Sequence, residues 1–223
     1  SVGSGLYLGA NSRTEIRVGP NAFRLAGGSR GGFTQLDYGQ TVFNLEYGVM
    51  NVRLQRPQNG ETFAVTTAGM RVDLAAPGRY RIEADDRTGL RLTTFSGQGT
   101  VLTSSNSINV GSGQALVAAP GLASLNFETA TSTSFDDWAL ARDDRYQNVQ
   151  SVRYVYPNMT GYEEPDQHGD WVVDTSYGAV WYPRAVPVGW APYRYGQWRW
   201  VRPWGWSWVD HAPWGFAPFH YGR

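Results

Sequence analysis

Through its first 124 residues the chain alternates apolar and polar residues in short runs. Thr14-Glu15-Ile16-Arg17-Val18 and Met70-Arg71-Val72-Asp73-Leu74 are two of these runs, and turn signals such as Pro77-Gly78 lie between them. An alternation of period two places successive side chains on opposite faces of a β-strand. Short strands separated by such turns are typical of all-β domains. The sequence therefore predicts an all-β fold, with no helix of ordinary length before residue 124.

Charge and residue usage narrow the classes of partner. The 19 basic residues, all of them Arg, balance 19 acidic residues, so the chain lacks the basic footprint of a nucleic-acid-binding protein. Cysteine is absent, which excludes disulfides and thiolate metal sites. No apolar run approaches the roughly 20 residues of a membrane-spanning helix. We expect no nucleic-acid partner and no membrane span in this chain. Its start at Ser1, without a basic and apolar leader, predicts a processed or trimmed soluble chain.

One segment has the pattern of a helix, over about residues 134–145. Ser134 is a suitable cap, and Asp137 three residues later completes a capping pattern. The apolar residues expected to anchor this helix to a neighbouring sheet are Phe135, Trp138 and Leu140. The carboxylates lack the Gly and the terminal Glu of a calcium loop. We therefore expect a solvated acidic face made of Asp136, Asp137, Asp143 and Asp144.

The last third of the chain contains an internal repeat of glycines and aromatic residues. Gly169-Asp170-Trp171 recurs as Gly196-Gln197-Trp198, and Tyr177-Gly178-Ala179-Val180-Trp181 recurs as Trp204-Gly205-Trp206-Ser207-Trp208, with a shift of 27 residues. The segment 189–196 recurs as 215–222 with a shift of 26 residues. Such a period indicates small repeated β units, the last of them truncated. The predicted organisation is a β domain over 1–124, a linker with the short helix over 125–166, and aromatic repeats over 167–223.

Eight of the ten tryptophans lie after residue 180, and two interpretations compete for them. Exposed rings form platforms for sugars, peptides or proteins, since aromatic residues are common at interfaces. Alternatively the rings replace an aliphatic core, each burying roughly 150–250 Å². We expect most rings to be core and a minority to be exposed. The candidate ligand-binding or interface residues are Trp181, Tyr182, Trp190, Tyr193, Trp198, Trp200, Trp204, Trp206 and Trp208.

No catalytic or metal site is predicted. Residues 27–31 match the G-x-S-x-G pattern of hydrolases, but a strand rather than a helix follows and no His lies in the first 160 residues. The pattern is therefore interpreted as a turn. His168, His211 and His220 lack the spacing of metal ligands, and Glu163-Glu164-Pro165-Asp166 is expected to be an exposed acidic turn. We expect a protein that is not an enzyme and has no metal or cofactor.

Several segments in order resemble a FecR-type domain. They include Gly9-Ala10-Asn11-Ser12-Arg13-Thr14-Glu15-Ile16, Tyr47-Gly48-Val49-Met50-Asn51-Val52 and Phe95-Ser96-Gly97-Gln98-Gly99-Thr100-Val101. The aromatic part, in residues 177–183 and 189–195, is similar to the Tyr-x-Trp-x-Pro-rich tails of secreted FecR-domain proteins of Gram-negative bacteria. The resemblance implies a solenoid-like or sandwich-like β domain without catalytic activity, in the periplasm or outside the cell.

FecR itself is a membrane regulator that relays a transport signal to a sigma factor. This chain differs, because it shows no membrane helix and adds the aromatic repeats. The leading hypothesis is a structural or interaction protein of the cell envelope that binds a protein partner, or itself, through β edges and aromatic repeats. The alternatives are a module that binds carbohydrate or peptidoglycan and a FecR-like periplasmic signal-relay protein.

Overall fold

The computed structural model of the chain describes residues 2–37, 39–55, 60–67, 69–104, 106–147, 149–156, 159, 161–201, 205–215 and 217–220. The chain divides into two compact units, Ser1–Ala141 (unit 1) and Arg142–Arg223 (unit 2). Strands dominate both units and the helices are short. The prediction of an all-β fold class is confirmed.

Unit 1 forms one curled sheet of thirteen strands. The strands are β1 (Leu6–Tyr7), β2 (Thr14–Val18), β3 (Asn21–Leu25), β4 (Arg30–Leu36), β5 (Gln40–Leu54), β6 (Thr62–Thr67), β7 (Met70–Leu74), β8 (Gly78–Asp85), β9 (Gly89–Ser96), β10 (Gln98–Leu102), β11 (Ser107–Gly111), β12 (Gln114–Ala118) and β13 (Leu125–Thr129). Their main order is β11-β10-β7-β6-β5-β8-β9-β12-β13. Except for the parallel β5–β6 pair, the neighbours along this order run antiparallel.

The fifteen-residue strand β5 joins the two halves of the sheet. Its first part pairs with β4 and β6, and its second part pairs with β3 and β8. The change occurs at Gly48, whose φ of 105° suits a residue without a Cβ. A Cβ there would overlap Ser29, whose hydroxyl accepts the Val49 N–H at 3.0 Å and lies 3.2 Å from the Val49 carbonyl. This contact holds the bend in β5.

One hydrophobic core lies under the curled sheet. Strand β7 shows the predicted period of two, because Met70, Val72 and Leu74 are buried while the residues between them are not. Both halves of the sheet contribute to the same cluster, with Phe43 and Val65 from one half and fully buried residues of β8 and β9 from the other. Burial of these side chains is the main source of stability for unit 1.

Helix α1 (Ser134–Gln147) corresponds to the predicted helix, but it is capped one residue earlier than expected. The Asp137 N–H donates to the Thr133 carbonyl at 3.1 Å, which makes Thr133 the cap. The Asp136 carboxylate accepts the Thr133 N–H and hydroxyl, both at 2.9 Å. The capping box is therefore Thr133 with Asp136, and the prediction of Ser134 with Asp137 is wrong.

The predicted solvated acidic face of α1 is wrong for two of its four members. Asp136 is buried and accepts hydrogen bonds from the side chains of Asn51 and Arg81. Asp143 is also buried. A carboxylate in a low-dielectric site requires such partners. The local sequence of the helix cannot reveal these partners, because Arg81 lies 55 residues away from Asp136 in the sequence.

The apolar side of α1 also differs from the prediction. Phe135 is buried and stacks on Trp138 with ring centroids 5.6 Å apart, and the guanidinium of Arg13 lies over the Trp138 ring. Leu140 is exposed, so its predicted anchoring role is wrong. Ala139 is buried instead, since it lies one turn after Phe135 on the same side of the helix.

Unit 2 contains two hairpins, which occupy equivalent positions in the two copies of the sequence repeat. The first hairpin pairs β14 (Gly169–Asp174) with β15 (Gly178–Pro183), and the second pairs β16 (Gly196–Val201) with β17 (Gly205–Asp210). Every one of the four strand bounds is offset by the 27 residues of the sequence repeat. The short helices of this unit are α2 (Glu164–His168) and α3 (Ala217–His220).

Candidate functional site

A cluster of aromatic rings forms the interior of unit 2. Trp214 is 2% exposed and packs edge-to-face against Trp181 and Trp190, with centroids 6.1 and 5.2 Å away. Trp208 is 8% exposed and contacts Trp198 and Tyr193 at 5.6 and 5.9 Å. Rings at these distances and angles have the geometry of favourable aromatic pairs. Part of the repeat is therefore an aromatic core.

The glycine that begins each hairpin makes room for a tryptophan. A Cβ on Gly196 would overlap the Trp208 ring and the Val209 carbonyl, and a Cβ on Gly169 would overlap the Trp181 ring. Gly196 pairs with Asp210 at the open end of the hairpin, two residue pairs from the Trp198–Trp208 pair. The glycine at the start of each repeat is thus explained by the close approach of an indole to the backbone.

The second hairpin exposes a tryptophan face. Trp198 lies opposite Trp208 and Trp200 lies opposite Trp206, so all four side chains project from the same side of the β16–β17 sheet. Trp198, Trp200 and Trp206 are 59%, 61% and 66% exposed. Together these three indoles present roughly 300–450 Å² of ring surface. We call these three residues the tryptophan face; its size is that of the functional apolar patches found on monomers.

The other predicted candidates divide among different environments. Trp181 and Trp190 are half-buried in the Trp214 cluster, and Trp208 belongs to the core rather than to a platform. Tyr182 is exposed, but it alternates with Trp181 and so lies on the other side of its hairpin. Trp204 lies outside the described residues.

Tyr193 connects two parts of unit 2 although half of it is exposed. Its ring lies 5.9 Å from Trp208 and 5.7 Å from Phe219, and its hydroxyl donates to the Phe219 carbonyl at 3.3 Å. Its φ of 60° is unusual for a residue with a side chain. These contacts hold Tyr193 against the edge of the core rather than on the tryptophan face.

A cover that the sequence did not predict lies over the first hairpin. The Tyr154 ring stacks on Trp171 at 5.0 Å and 28°, and the Trp171 indole N–H donates to the Ser151 hydroxyl at 2.8 Å. Asp166 accepts hydrogen bonds from Ser151 and lies 3.3 Å from the same indole nitrogen. The prediction of an exposed acidic turn at 163–166 is therefore wrong, since Glu163 and Pro165 are buried and Asp166 is bonded.

The segment that carries Asp166, residues 161–169, has a signal in the sequence. Gly161, Gly189 and Gly215 all have φ of 78°, and each precedes a Pro-x-x-x-Gly segment by three or four residues. Only the second and third copies contain the Gly-x-Ala-Pro motif by which the repeat is recognised. The first copy contains one additional residue, which obscures the alignment.

Unit 1 presents an exposed edge strand. Strand β13 is the last strand of the sheet order, and all five of its residues are exposed. Phe127 and Leu125 pair with the buried residues Leu116 and Ala118, so they lie on the core side of the sheet but beyond the core. Within the described residues, no strand pairs with the outer edge of β13. Such an edge can accept another strand.

A cleft of about 720 Å³ lies in unit 1 beside the bend of β5 and the β8–β9 turn. Acidic and basic side chains line it together, among them Glu83, Asp85 and Arg91. The backbone N–H groups of Arg87 and Thr88 hold the pKa of Asp85 below its usual value. Arg91 is paired with Glu128 at 2.6 Å.

The hydrolase-like pattern forms a turn, as predicted. Residues 27–28 turn between β3 and β4, and Ser29 is fully buried with its hydroxyl bonded to Val49. Among the described residues, no group of three or more His, Asp or Glu side chains is placed to hold a metal ion. In the same part of the chain, no helix is both long and apolar enough to cross a membrane.

An ion pair closes the first hairpin. Arg184 donates from Nη2 and Nε to the Asp170 carboxylate at 2.9 and 3.0 Å, and it also donates to the Gly169 carbonyl at 2.7 Å. The hydrogen bond from Arg184 lowers the pKa of Asp170, and the same bond raises the pKa of Arg184. Both side chains are half exposed, so the pair fixes geometry more than it stabilises the fold.

Comparison with known proteins gives one family match and two structural matches. Residues 162–223 match a family of unknown function, DUF6600. Among curated proteins, none matches the chain. Two crystal structures of a protein described as a putative anti-sigma factor from Parabacteroides distasonis ATCC 8503 share the fold, each with a TM-score of 0.53, at 11% and 12% sequence identity. The match covers 61% of this chain and 64% of the anti-sigma chain, which is less than two thirds of that protein. The chain is thus similar in its last 62 residues to a family of unknown function, and over 61% of its length it shares a fold with part of the Parabacteroides protein.

Proposed function

We propose that this chain is a non-enzymatic interaction protein of the bacterial cell envelope or exterior, which binds protein partners through the tryptophan face and through the free edge of β13. The observation that carries the proposal is the exposure of Trp198, Trp200 and Trp206, each about 60%, on one side of a two-stranded sheet. Water-exposed indoles in this number are costly unless a partner covers them. The resemblance of the sequence to secreted FecR-domain proteins supports the location.

The hydrolase-like pattern carries no part of the proposed role. The one serine in a nucleophile-like pattern, Ser29, is bonded to the backbone of Val49 and buried. Aromatic rings presented on a rigid hairpin suit binding, because Trp supplies a large contact area with few rotatable bonds.

Capture from the envelope tests this function. The full chain is immobilised and exposed to solubilised envelope proteins of its source, in parallel with the W198A/W200A/W206A variant and with Tyr177→Ala. Tyr177 is 84% exposed but lies in the turn of the first hairpin. We expect a set of proteins that the wild type and Tyr177→Ala retain and that the triple variant loses. Equal retention by all three proteins would show that the tryptophan face is not the binding surface.

A second candidate is signal relay, which the fold likeness to the Parabacteroides protein favours. In this role unit 1 would sense an envelope event and pass it to a transcriptional regulator. The test is transcript profiling of a strain that lacks the protein. A coordinated change in genes with one shared promoter element would support relay, and an unchanged transcript profile under envelope stress would exclude it.

A further inference from the structure

The two hairpins of unit 2 provide an internal comparison for the tryptophan face. Trp171 lies opposite Trp181 on the first hairpin, as Trp198 lies opposite Trp208 on the second. Trp171 and Trp198 are separated by the 27 residues of the repeat, and each lies two residues after the glycine that begins its hairpin. The two indoles therefore occupy the same position on the same kind of sheet.

On the first hairpin this position is covered. The Tyr154 ring stacks nearly parallel on Trp171, 28° from coplanar with centroids 5.0 Å apart. The Trp171 indole N–H donates to the hydroxyl of Ser151, which is itself fully buried and donates to Asp166. An aromatic ring and an oxygen acceptor linked to a carboxylate thus satisfy both the apolar and the polar part of the indole.

On the second hairpin the same position is open. Trp198 is 59% exposed, and its neighbours on the same side are Trp200 and Trp206, where the first hairpin has Val173 and Ala179. The uncovered hairpin therefore carries more aromatic surface than the covered one. If Trp198 served only to pack against the indole opposite it, the additional rings of Trp200 and Trp206 would not be required.

We propose that the tryptophan face binds a segment of a partner protein that stacks an aromatic side chain on Trp198 and offers a side-chain oxygen to its indole N–H. The internal model is the cover of Trp171, in which Ser151 and Tyr154 come from one helical turn and Asp166 from α2. The inference rests on the proposed function, and it names the chemistry of the partner for the same surface.

The cover of Trp171 favours a carboxylate as part of the acceptor, because Asp166 accepts the Ser151 hydroxyl and lies 3.3 Å from the Trp171 indole nitrogen. The described strands of the first hairpin carry Asp170 and Asp174, whereas those of the second carry Arg199 and one acid, Asp210. Asp210 accepts the Trp208 indole N–H and the Ala212 N–H, both at 2.8 Å. Arg199 alternates with Trp198 and Trp200 and so lies on the other side of the sheet from the tryptophan face, and Asp166 alone therefore supports a carboxylate as the acceptor.

Indole N–H signals in nitrogen-15 NMR spectra of the full chain test the proposal. The probe is the acetylated and amidated peptide Asp-Gly-Tyr-Gly-Ser, and the controls replace its Tyr by Ala or its Asp by Asn. Trp198→Phe identifies the Trp198 signal. We expect the peptide to shift the Trp198 signal saturably and leave the Trp171 signal in place. The peptide without Tyr should bind at least about fivefold more weakly, and the peptide without Asp should shift the signal less toward the hydrogen-bonded position.

The opposite outcomes separate this inference from the proposed function. If no peptide shifts the Trp198 signal while Trp-dependent capture from the envelope persists, the partner chemistry is wrong and the proposed function stands. If chitohexaose shifts the signals of the tryptophan face and no peptide does, the surface binds glycans, and both the inference and the protein-binding function fail. Equal affinity for the peptides with Tyr and with Ala would also overturn the inference.

Discussion

The guanidinium of Arg81 on β8 and the carboxylate of Asp136 in the first turn of α1 form a buried ion pair. Asn51 adds a hydrogen bond to the same carboxylate at 3.2 Å, and the Thr133 N–H adds another at 2.9 Å. Arg81 also pairs with Glu83 at 2.8 Å and lies over the Phe95 ring. Asp136 therefore has two functions, since it caps α1 and fixes that helix to the sheet.

The first prediction concerns this pair. Asp136→Ala removes the partner of a buried cation and a helix cap together, which should lower the opening free energy of the β8 amides by roughly 3 kcal/mol. Hydrogen exchange followed by mass spectrometry measures that free energy. Asp137→Ala is the matched control, because Asp137 is exposed and should leave β8 unchanged. Equal effects of the two substitutions would contradict the capping box that the structure assigns to Thr133 and Asp136.

These particulars show what the sequence of unit 1 could predict. The period of two identified its strands and their buried faces, as in β7, because strand alternation is a local property. The position of Asp136 depends on Arg81 and Asn51, which are far away in the sequence and meet it only in the folded chain. The local sequence offers a capping pattern both at Thr133 with Asp136 and at Ser134 with Asp137. The contacts of Asp136 with Arg81 and Asn51 select the first of these.

The second prediction concerns the glycines of the repeat. Gly196→Ala places a methyl group against the Trp208 ring and the Val209 carbonyl, so the β16–β17 pair must open or shift. We expect a loss of about 1–3 kcal/mol from overpacking, and a loss of the exciton circular dichroism of the edge-to-face indole pairs. Gly5→Ala is the control, because nothing lies within 4 Å of its added Cβ. An unchanged exciton signal in Gly196→Ala would be inconsistent with the packing described.

The third prediction is a pH dependence in the first hairpin. The Arg184 hydrogen bond lowers the pKa of Asp170 in the folded chain. A lowered folded-state pKa means that the pair stabilises the hairpin above the unfolded-state pKa of about 3.9, and that this stabilisation is lost as the pH falls through the lower folded-state pKa. Carbon-13 NMR of the carboxyl groups should show that Arg184→Gln returns the Asp170 pKa toward its usual value.

Asp37 is the control for that titration. The Gln35 side chain and then the Gly39 and Gln40 N–H groups lower its pKa, and none of these partners involves Arg184. The Asp37 pKa should be the same in wild type and in Arg184→Gln. An unchanged Asp170 pKa in the variant would mean that another group, not Arg184, sets it.

The fourth prediction concerns the free edge of β13. Two copies of this strand, paired antiparallel about Phe127, place Glu128 opposite Asn126, so no like charges meet. We expect the molar mass from light scattering to rise with concentration, and Phe127→Arg to suppress the rise. Asn126→Ser, on the other side of the strand, should retain it. A wild-type mass equal to that of the monomer at every concentration would exclude self-pairing through β13.

Sequence and structure agree less well on the candidate site. The repeat, and the expectation that its rings include both core and exposed ones, could be inferred from the fixed spacing of glycines and aromatic residues. The identity of the exposed rings could not, because Trp208 and Trp206 have similar local sequences and differ only in what packs above them. The cover made by Tyr154 and Ser151 could not be predicted from the repeat either, because these two residues lie in a segment without the repeat motif.

The fifth prediction is the most direct test that the tryptophan face binds a partner. Hydroxyl-radical footprinting with mass spectrometry measures the oxidation of individual tryptophans in the full chain, alone and mixed with the envelope fraction of its source. We expect Trp198, Trp200 and Trp206 to be oxidised readily in the purified protein and to be protected in the mixture. Trp214, at 2% exposure, should react slowly in both samples. If the three exposed tryptophans react as fast in the envelope mixture as in the purified protein, the tryptophan face is not a binding surface.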